Sequence, residues 1–189
     1  MTPLLFDTPP NSGFTDGSRS SAAIRTFGAR RRLVREALGL VVSLAVCFAA
    51  AGIGGALTAT SLTDWYLGLA KPSWNPPNWI FGPVWTMLYI LMAIAAWLVW
   101  RAEGWRSAAL PLTVFAIQLV LNVAWSGLFF ALQNPAAAFG EVLLLWLAIA
   151  ATVFLFCGID RVAAALLAPY LTWVSFAAVL NFAVWQLNR

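Results

Sequence analysis

The sequence predicts an all-α membrane protein: a bundle of five transmembrane helices with a structured loop between the first and second. Three observations predict it. Of the 189 residues, 62% are hydrophobic and only 10% are charged, with mean hydropathy +0.83, whereas soluble domains are near half apolar and a quarter charged. A chain this short cannot hide so much apolar surface in one water-soluble core. The apolar residues also come in long runs without the alternation of barrel strands, and only helices then satisfy the backbone in lipid.

The spans follow in order: Leu38 to Thr60, Gly82 to Arg101, Ser107 to Leu132, Pro135 to Gly158 and Ala163 to Leu187. Each reaches about 30 Å or more at 1.5 Å per residue, enough to cross the hydrocarbon layer. Asn134-Pro135 reads as an N-cap followed by proline in the first turn, and Gly158 with Asp160 ends the fourth span. Five spans and short loops use up everything after residue 37, so 38–189 is one domain.

Residues 1–37 are expected to be a disordered basic extension. Pro, Ser, Thr and Gly dominate it, apolar periodicity is absent, and a run of arginines closes it at Arg35. The arginines read as a patch for anionic lipid or as a tail that only orients the first span. The apolar stretch that follows is too long for a cleavable signal, and Asp7 and Asp16 argue against a mitochondrial presequence.

Orientation comes from basic residues. The extension and the 2–3 and 4–5 loops share Arg19, Arg25, Arg30, Arg31, Arg32, Arg35, Arg101, Arg106 and Arg161, against Lys71 and Arg189 on the other side. In a bacterial cell membrane this predicts a cytoplasmic N-terminus. An outer membrane or an organelle envelope stays open.

Several chemistries have no residues to perform them. There is no histidine, and the two cysteines, Cys47 and Cys157, lie inside spans. That excludes a Ser-His-Asp or Cys-His arrangement and a His-ligated metal or haem. No catalytic residue, metal site, obligatory cofactor or nucleic-acid surface is expected, the net charge of +4 coming largely from the extension.

Tryptophan is abundant instead, eleven in all. An interfacial belt accounts for Trp97, Trp100 and Trp105. It accounts less well for Trp125, Trp146 and Trp173, which lie inside apolar runs. An indole N–H at that depth needs a partner or a ligand, so some of these rings should line an interior cavity.

The densest cluster is the 1–2 connection, SLTDWYLGLAKPSWNPPNWIF, from Ser61 to Phe81. So long a connection in a compact bundle is typical of a functional lid, although an interfacial anchor would look the same. Asp64 is placed to cap a short helix through Leu69; Lys71-Pro72 ends it and Pro76-Pro77 stiffens the return. The lid residues are Trp65, Lys71, Pro72, Trp74 and Trp79.

Polar residues inside the spans fall on single faces. Gln118, Asn122 and Ser126 recur every four residues beside Trp125; Trp173, Ala177, Asn181 and Trp185 do the same on the fifth span. Both stripes should look inward, as interhelical hydrogen bonds or as ligand contacts, Asn122 being the better contact. Glu141, two turns into the fourth span, reads as snorkelling to the nearby interface rather than as a proton- or ligand-sensitive group. Ala51/Gly55, Gly52/Ala56 and Gly127/Ala131 have the spacing of close helix contacts, within the bundle or between copies.

Three motifs then carry a resemblance. They are W-Y-x-x-L-x-K-P-S-W-N-P-P-x-W-x-F-G-P-V-W (Trp65 to Trp85), L-N-x-A-W-S (Leu121 to Ser126) and P-Y-L-x-W-V-S-F-A-x-x-L-N (Pro169 to Asn181). In order and over residues 38–189 they resemble the tryptophan-rich sensory proteins. This is the TspO and translocator-protein family, whose mitochondrial members are also called peripheral benzodiazepine receptors. The resemblance implies a five-helix bundle, usually a homodimer in lipid, that binds porphyrins and other flat hydrophobic ligands under the first loop. It implies ligand contacts at Tyr66, Trp85, Asn122, Trp125, Trp173 and Ala177. A sterol motif of Tyr followed closely by a basic residue is missing after Tyr170.

Indole faces suit a flat tetrapyrrole, Asn122 or an indole N–H its polar edges, and Lys71 its carboxylates. Without histidine, metal-free porphyrin should bind at least as readily as haem. The expected function is therefore a porphyrin sensor or carrier. A light-dependent porphyrin-degrading enzyme and a lipid- or sterol-binding scaffold are the alternatives.

Overall fold

The computed structural model describes the backbone from Asp16 and the side chains from Arg30 to Arg189. Its helices are α1 (Asp16–Ala59), α2 (Trp65–Gly68), α3 (Asn78–Ser107), α4 (Ala109–Ser126), α5 (Pro135–Cys157), α6 (Arg161–Leu166) and α7 (Ala168–Leu187). A π-helical turn, Gly127–Ala131, extends α4. No strand occurs among the described residues. Five stretches are long and apolar enough to cross a membrane: Arg30–Ala59, Asn78–Ser107, Ala109–Ala131, Pro135–Cys157 and Arg161–Leu187.

The chain divides into two units, Met1–Leu38 and Gly39–Arg189. In the first, α1 begins at Asp16, inside the stretch expected as an extension, and Arg32 Nε donates to Glu36 Oε1 at 2.9 Å, one turn on. Arginine, alanine and leucine are good helix formers, and helix propensity needs no apolar stripe. Met1 to Thr15 lie outside the described residues.

In the second unit, α5 packs between α4 and α7, and α6 and α4 reach α3. The apolar stripe Ala138, Val142, Leu145, Ile149 and Phe156 runs down the inner face of α5. Lipid matches leucine in polarity, so small side chains and buried hydrogen bonds hold such a bundle. Ser43 Oγ donates to the Ala93 carbonyl at 2.7 Å, fastening α1 to α3. The close approach of α1 to α4 uses Gly54, against Ser126, and Leu57, against Gly127. Gly52 and Gly55 of the expected small-residue pairs face open space.

Helix ends explain the boundaries. Asn134 Oδ1 accepts from Ala137 N at 3.0 Å, the cap expected before Pro135. Asp160 caps α6 through Val162 N and Ala163 N. α3 is broken at Gly104, whose φ of +71° is open to glycine without strain; the apolar stretch expected to end at Arg101 continues to Ser107. Asp64 stands at the N-cap of α2, but its side chain makes no capping bond, and that helix ends at Gly68.

Candidate functional site

The 1–2 loop, the expected lid, packs on an aromatic floor. α2 turns Tyr66 inward, where its ring lies 5.6 Å from Phe130 and 6.4 Å from Phe129. Trp65 meets Phe129 edge-on at 5.7 Å, and Trp125 stacks on Phe129 at 5.2 Å. The π-helical turn brings both phenylalanines inside: Leu132 N donates to the Gly127 carbonyl at 2.8 Å, and Ser61 Oγ donates to the Phe130 carbonyl. Such single-turn insertions recur at functional sites. Burial pushes the Tyr66 phenol above its ordinary 10.0, and the Asn75 side chain offsets part of that rise.

The loop is held from two directions. Lys71 Nζ donates to the Tyr66 carbonyl and, at 3.2 Å, to that of Leu69, and sits 4.4 Å over the Tyr66 ring. Asn188, past the end of α7, pairs with the backbone of Ala70. Trp74 packs on Phe176 at 5.9 Å. Pro72 is half-buried beside Lys71. Trp79 stands apart: it is 73% exposed and lies in the first turn of α3, outside the lid.

Below the lid, Trp85 and Trp173 face the interior from α3 and α7. Trp85 lies 5.7 Å from Tyr89 and 6.2 Å from Tyr170; Trp173 lies 5.8 Å from Phe81 and 5.6 Å from Phe176. Both tryptophans are half-buried, as is Ala177, one turn beyond Trp173. Among the described residues, neither the Trp85 nor the Trp173 indole N–H has a protein partner. The Trp125 N–H donates to Asn181 Oδ1 at 3.0 Å, and that of Trp146 to Ser175 Oγ at 2.8 Å.

A buried polar chain closes the bottom. Tyr89 OH donates to Asn122 Oδ1 at 2.5 Å, Asn122 Nδ2 donates to Tyr170 OH at 2.9 Å, and Tyr170 OH donates to Gln118 Oε1 at 2.9 Å. Both ends of the Asn122 amide are thus engaged by tyrosines, and the residue is only 4% exposed. Asn181 bridges in the same way, its Nδ2 donating to the Pro135 carbonyl at 2.8 Å. For Gln118 and Asn181 the interhelical reading of the polar stripes describes what is found.

Sequence reasoning passed over Tyr89, Tyr170, Phe129 and Phe130 as members of this site. One signal was available: Tyr89 follows Trp85 by four residues and Tyr170 precedes Trp173 by three, so each pair shares a helix face. Glu141 is a correction. Its side chain is buried in the inner stripe of α5 instead of reaching the interface.

Comparison with known proteins identifies this architecture. The model of the TspO/MBR family matches residues 43–186. The chain belongs to the TspO/MBR family. It is 42% identical to the tryptophan-rich protein TspO of Chlorobaculum tepidum over 156 residues, 82% of this chain and 98% of the relative. It is 43% identical to the translocator protein of Homo sapiens over 127 residues, 66% and 75% of the two chains. Against the tryptophan-rich sensory protein of Cereibacter sphaeroides it is 41% identical over 145 residues, 77% and 88%. With its five apolar helices, this TspO/MBR chain is a multi-pass membrane protein of the sensory and translocator class. The TspO/MBR match takes in all the site residues from Trp65 to Ala177 and stops short of Asn188.

Proposed function

We propose that the chain binds porphyrins and similar flat hydrophobic ligands between the lid and the Tyr89–Tyr170 layer, acting as a sensor or carrier. One observation carries this reading: Trp85 and Trp173 offer indole faces and unpartnered N–H groups at membrane depth, while Trp125 and Trp146 have their N–H groups satisfied within the protein. An indole N–H away from water calls for an acceptor. A tetrapyrrole brings a broad π-face for the rings and peripheral acceptors for the two N–H groups. In this proposal the chain works as a homodimer in lipid, its N-terminus cytoplasmic in a bacterial cell membrane, an orientation that the arginine bias supports.

A second reading is favoured by the contact of Trp85 with both Tyr89 and Tyr170. An indole that gave an electron to a photo-excited porphyrin would be re-reduced by either neighbouring phenol, and dissolved dioxygen would be the oxidant of the ring.

Protoporphyrin titrated into detergent-solubilised protein, followed by tryptophan quenching, tests the first reading. Saturable quenching is expected, and Trp85→Phe with Trp173→Phe should weaken it at least tenfold. Unchanged affinity in the double variant overturns the site. Illumination of the same samples tests the second: absorbance that bleaches no faster than that of free porphyrin rejects it.

A further inference from the structure

The buried polar side chains of the described residues are Ser61, Gln118, Asn122, Glu141, Thr152 and Asn181. Five of them have hydrogen-bond partners. Glu141 has none: both carboxyl oxygens are buried and unpartnered, and the residue is 8% exposed. It stands six residues beyond Pro135, roughly 9 Å along α5. An unpaired carboxyl at such depth carries a heavy desolvation cost. For folding alone, leucine would serve better here, as at Leu145 one turn on.

Its place in the stripe says what its helix face meets. Ala138, one turn before, packs with Tyr66, Phe129 and Phe130 under the lid. Val142 and Leu145 belong to the cluster of Tyr89 and Tyr170, against which Trp85 and Trp173 pack. Glu141 therefore lies at the seam between lid floor and tyrosine layer, the level assigned above to the ligand. The other polar groups there are engaged with each other. What is left for a ligand is two donors, the indoles of Trp85 and Trp173, and two buried acceptors without a partner, Asn75 Oδ1 within the lid and the Glu141 carboxyl beneath it.

We propose that Glu141 is a ligand-facing acceptor that selects flat aromatic ligands carrying free ring N–H groups. This rests on the pocket reading of the preceding section and names the ligand feature that the pocket requires. A metal-free tetrapyrrole meets it when the carboxyl lies over the ring face, with the inner N–H pair tilted out of the ring plane toward it; the zinc complex of the same ring has lost that pair and keeps the same periphery. A ligand donor gives the buried carboxyl the partner the protein withholds, so the desolvation cost carried by Glu141 becomes selectivity on binding.

The test uses full-length protein in detergent micelles, with protoporphyrin IX and its zinc complex as probes and tryptophan quenching as readout. Glu141→Leu should weaken protoporphyrin IX at least tenfold and the zinc complex less than threefold. Glu141→Gln, which keeps a carbonyl acceptor, should stay within about threefold of wild type for the free base. Thermal melting of Glu141→Leu should rise, showing that lost binding is not lost folding. Unchanged free-base affinity in Glu141→Leu, or an equal loss for both probes, overturns the proposal. A larger loss for the zinc complex also overturns it, since that marks axial ligation of the metal. If neither probe quenches wild type, the pocket reading itself fails, an outcome separable from failure of the Glu141 assignment.

Discussion

Asn188 clasps Ala70 across 118 residues of chain: Asn188 Oδ1 accepts from Ala70 N at 3.0 Å and Asn188 Nδ2 donates to the Ala70 carbonyl at 2.9 Å. The same Nδ2 reaches the Val184 carbonyl at 2.7 Å, which holds the amide in the plane that both Ala70 bonds require. The lid is thereby tied to the last turn of α7, the helix that also carries Trp173. Net contributions of about 1 kcal/mol per bond are small for the fold but large for a loop that must open. Asn188→Ala should leave the melting temperature within a few degrees and speed protoporphyrin release several-fold, read by stopped-flow recovery of tryptophan fluorescence. An unchanged release rate removes the latch from the opening step.

The tyrosine layer predicts a different split. Asn122 satisfies Tyr89 and Tyr170 at once, so Asn122→Ala strands the Tyr89 phenol in the core and leaves Tyr170 only its bond to Gln118. Hydrogen bonds between membrane helices are worth about 1–2 kcal/mol at most, and the melting temperature should fall accordingly. Affinity for protoporphyrin should fall less than in the Trp85 and Trp173 variants. A variant with unaltered melting and strongly reduced affinity would return Asn122 to direct ligand contact.

How far this was legible depends on whether a feature is local. Apolar runs and the Asn134-Pro135 cap are local, and four of the five helices end within a few residues of where the sequence puts them. Helix faces are nearly local, so Trp85, Trp173 and the polar stripes could be read inward. The pairing of Asn122 with Tyr89 and Tyr170 joins three helices, and no periodicity within one of them announces it. Glu141 was misjudged because its distance from the helix end was weighed and its direction was not. Ala138, Val142 and Leu145 share its face, and that face is inside. The start of α1 was missed for the opposite reason: arginines and small residues sustain a helix without an apolar stripe.

Gly39 is fixed by a neighbour's ring. A Cβ built there would lie 2.1 Å from Cζ3 of Trp100, far inside van der Waals contact. Gly39→Ala must displace the indole or shift the helix, at about 1–3 kcal/mol for such overpacking. The melting temperature should drop and the intrinsic fluorescence should change, while protoporphyrin affinity holds, because Trp100 lies toward the end of the span away from the lid. Wild-type melting in this variant would show that Trp100 has another rotamer of equal energy.

Lys71 separates two ideas of how a ligand's carboxylates are received. As the sole cation of the loop it invites pairing with them. In the structure its ammonium is already committed to the carbonyls of Tyr66 and Leu69 and to the face of the Tyr66 ring, closing the end of α2. Helix carbonyls at a C-terminus carry partial negative charge, and a lysine placed there is a capping group. Lys71→Met should therefore loosen the lid, raising the release rate of protoporphyrin IX and of its dimethyl ester by the same factor. If Lys71 instead paired with ligand carboxylates, the ester would bind wild type more weakly than the acid, and the substitution would erase that difference. Equilibrium titration of both probes into both proteins measures the ratio directly, and a ratio that the substitution leaves unchanged assigns Lys71 to the lid.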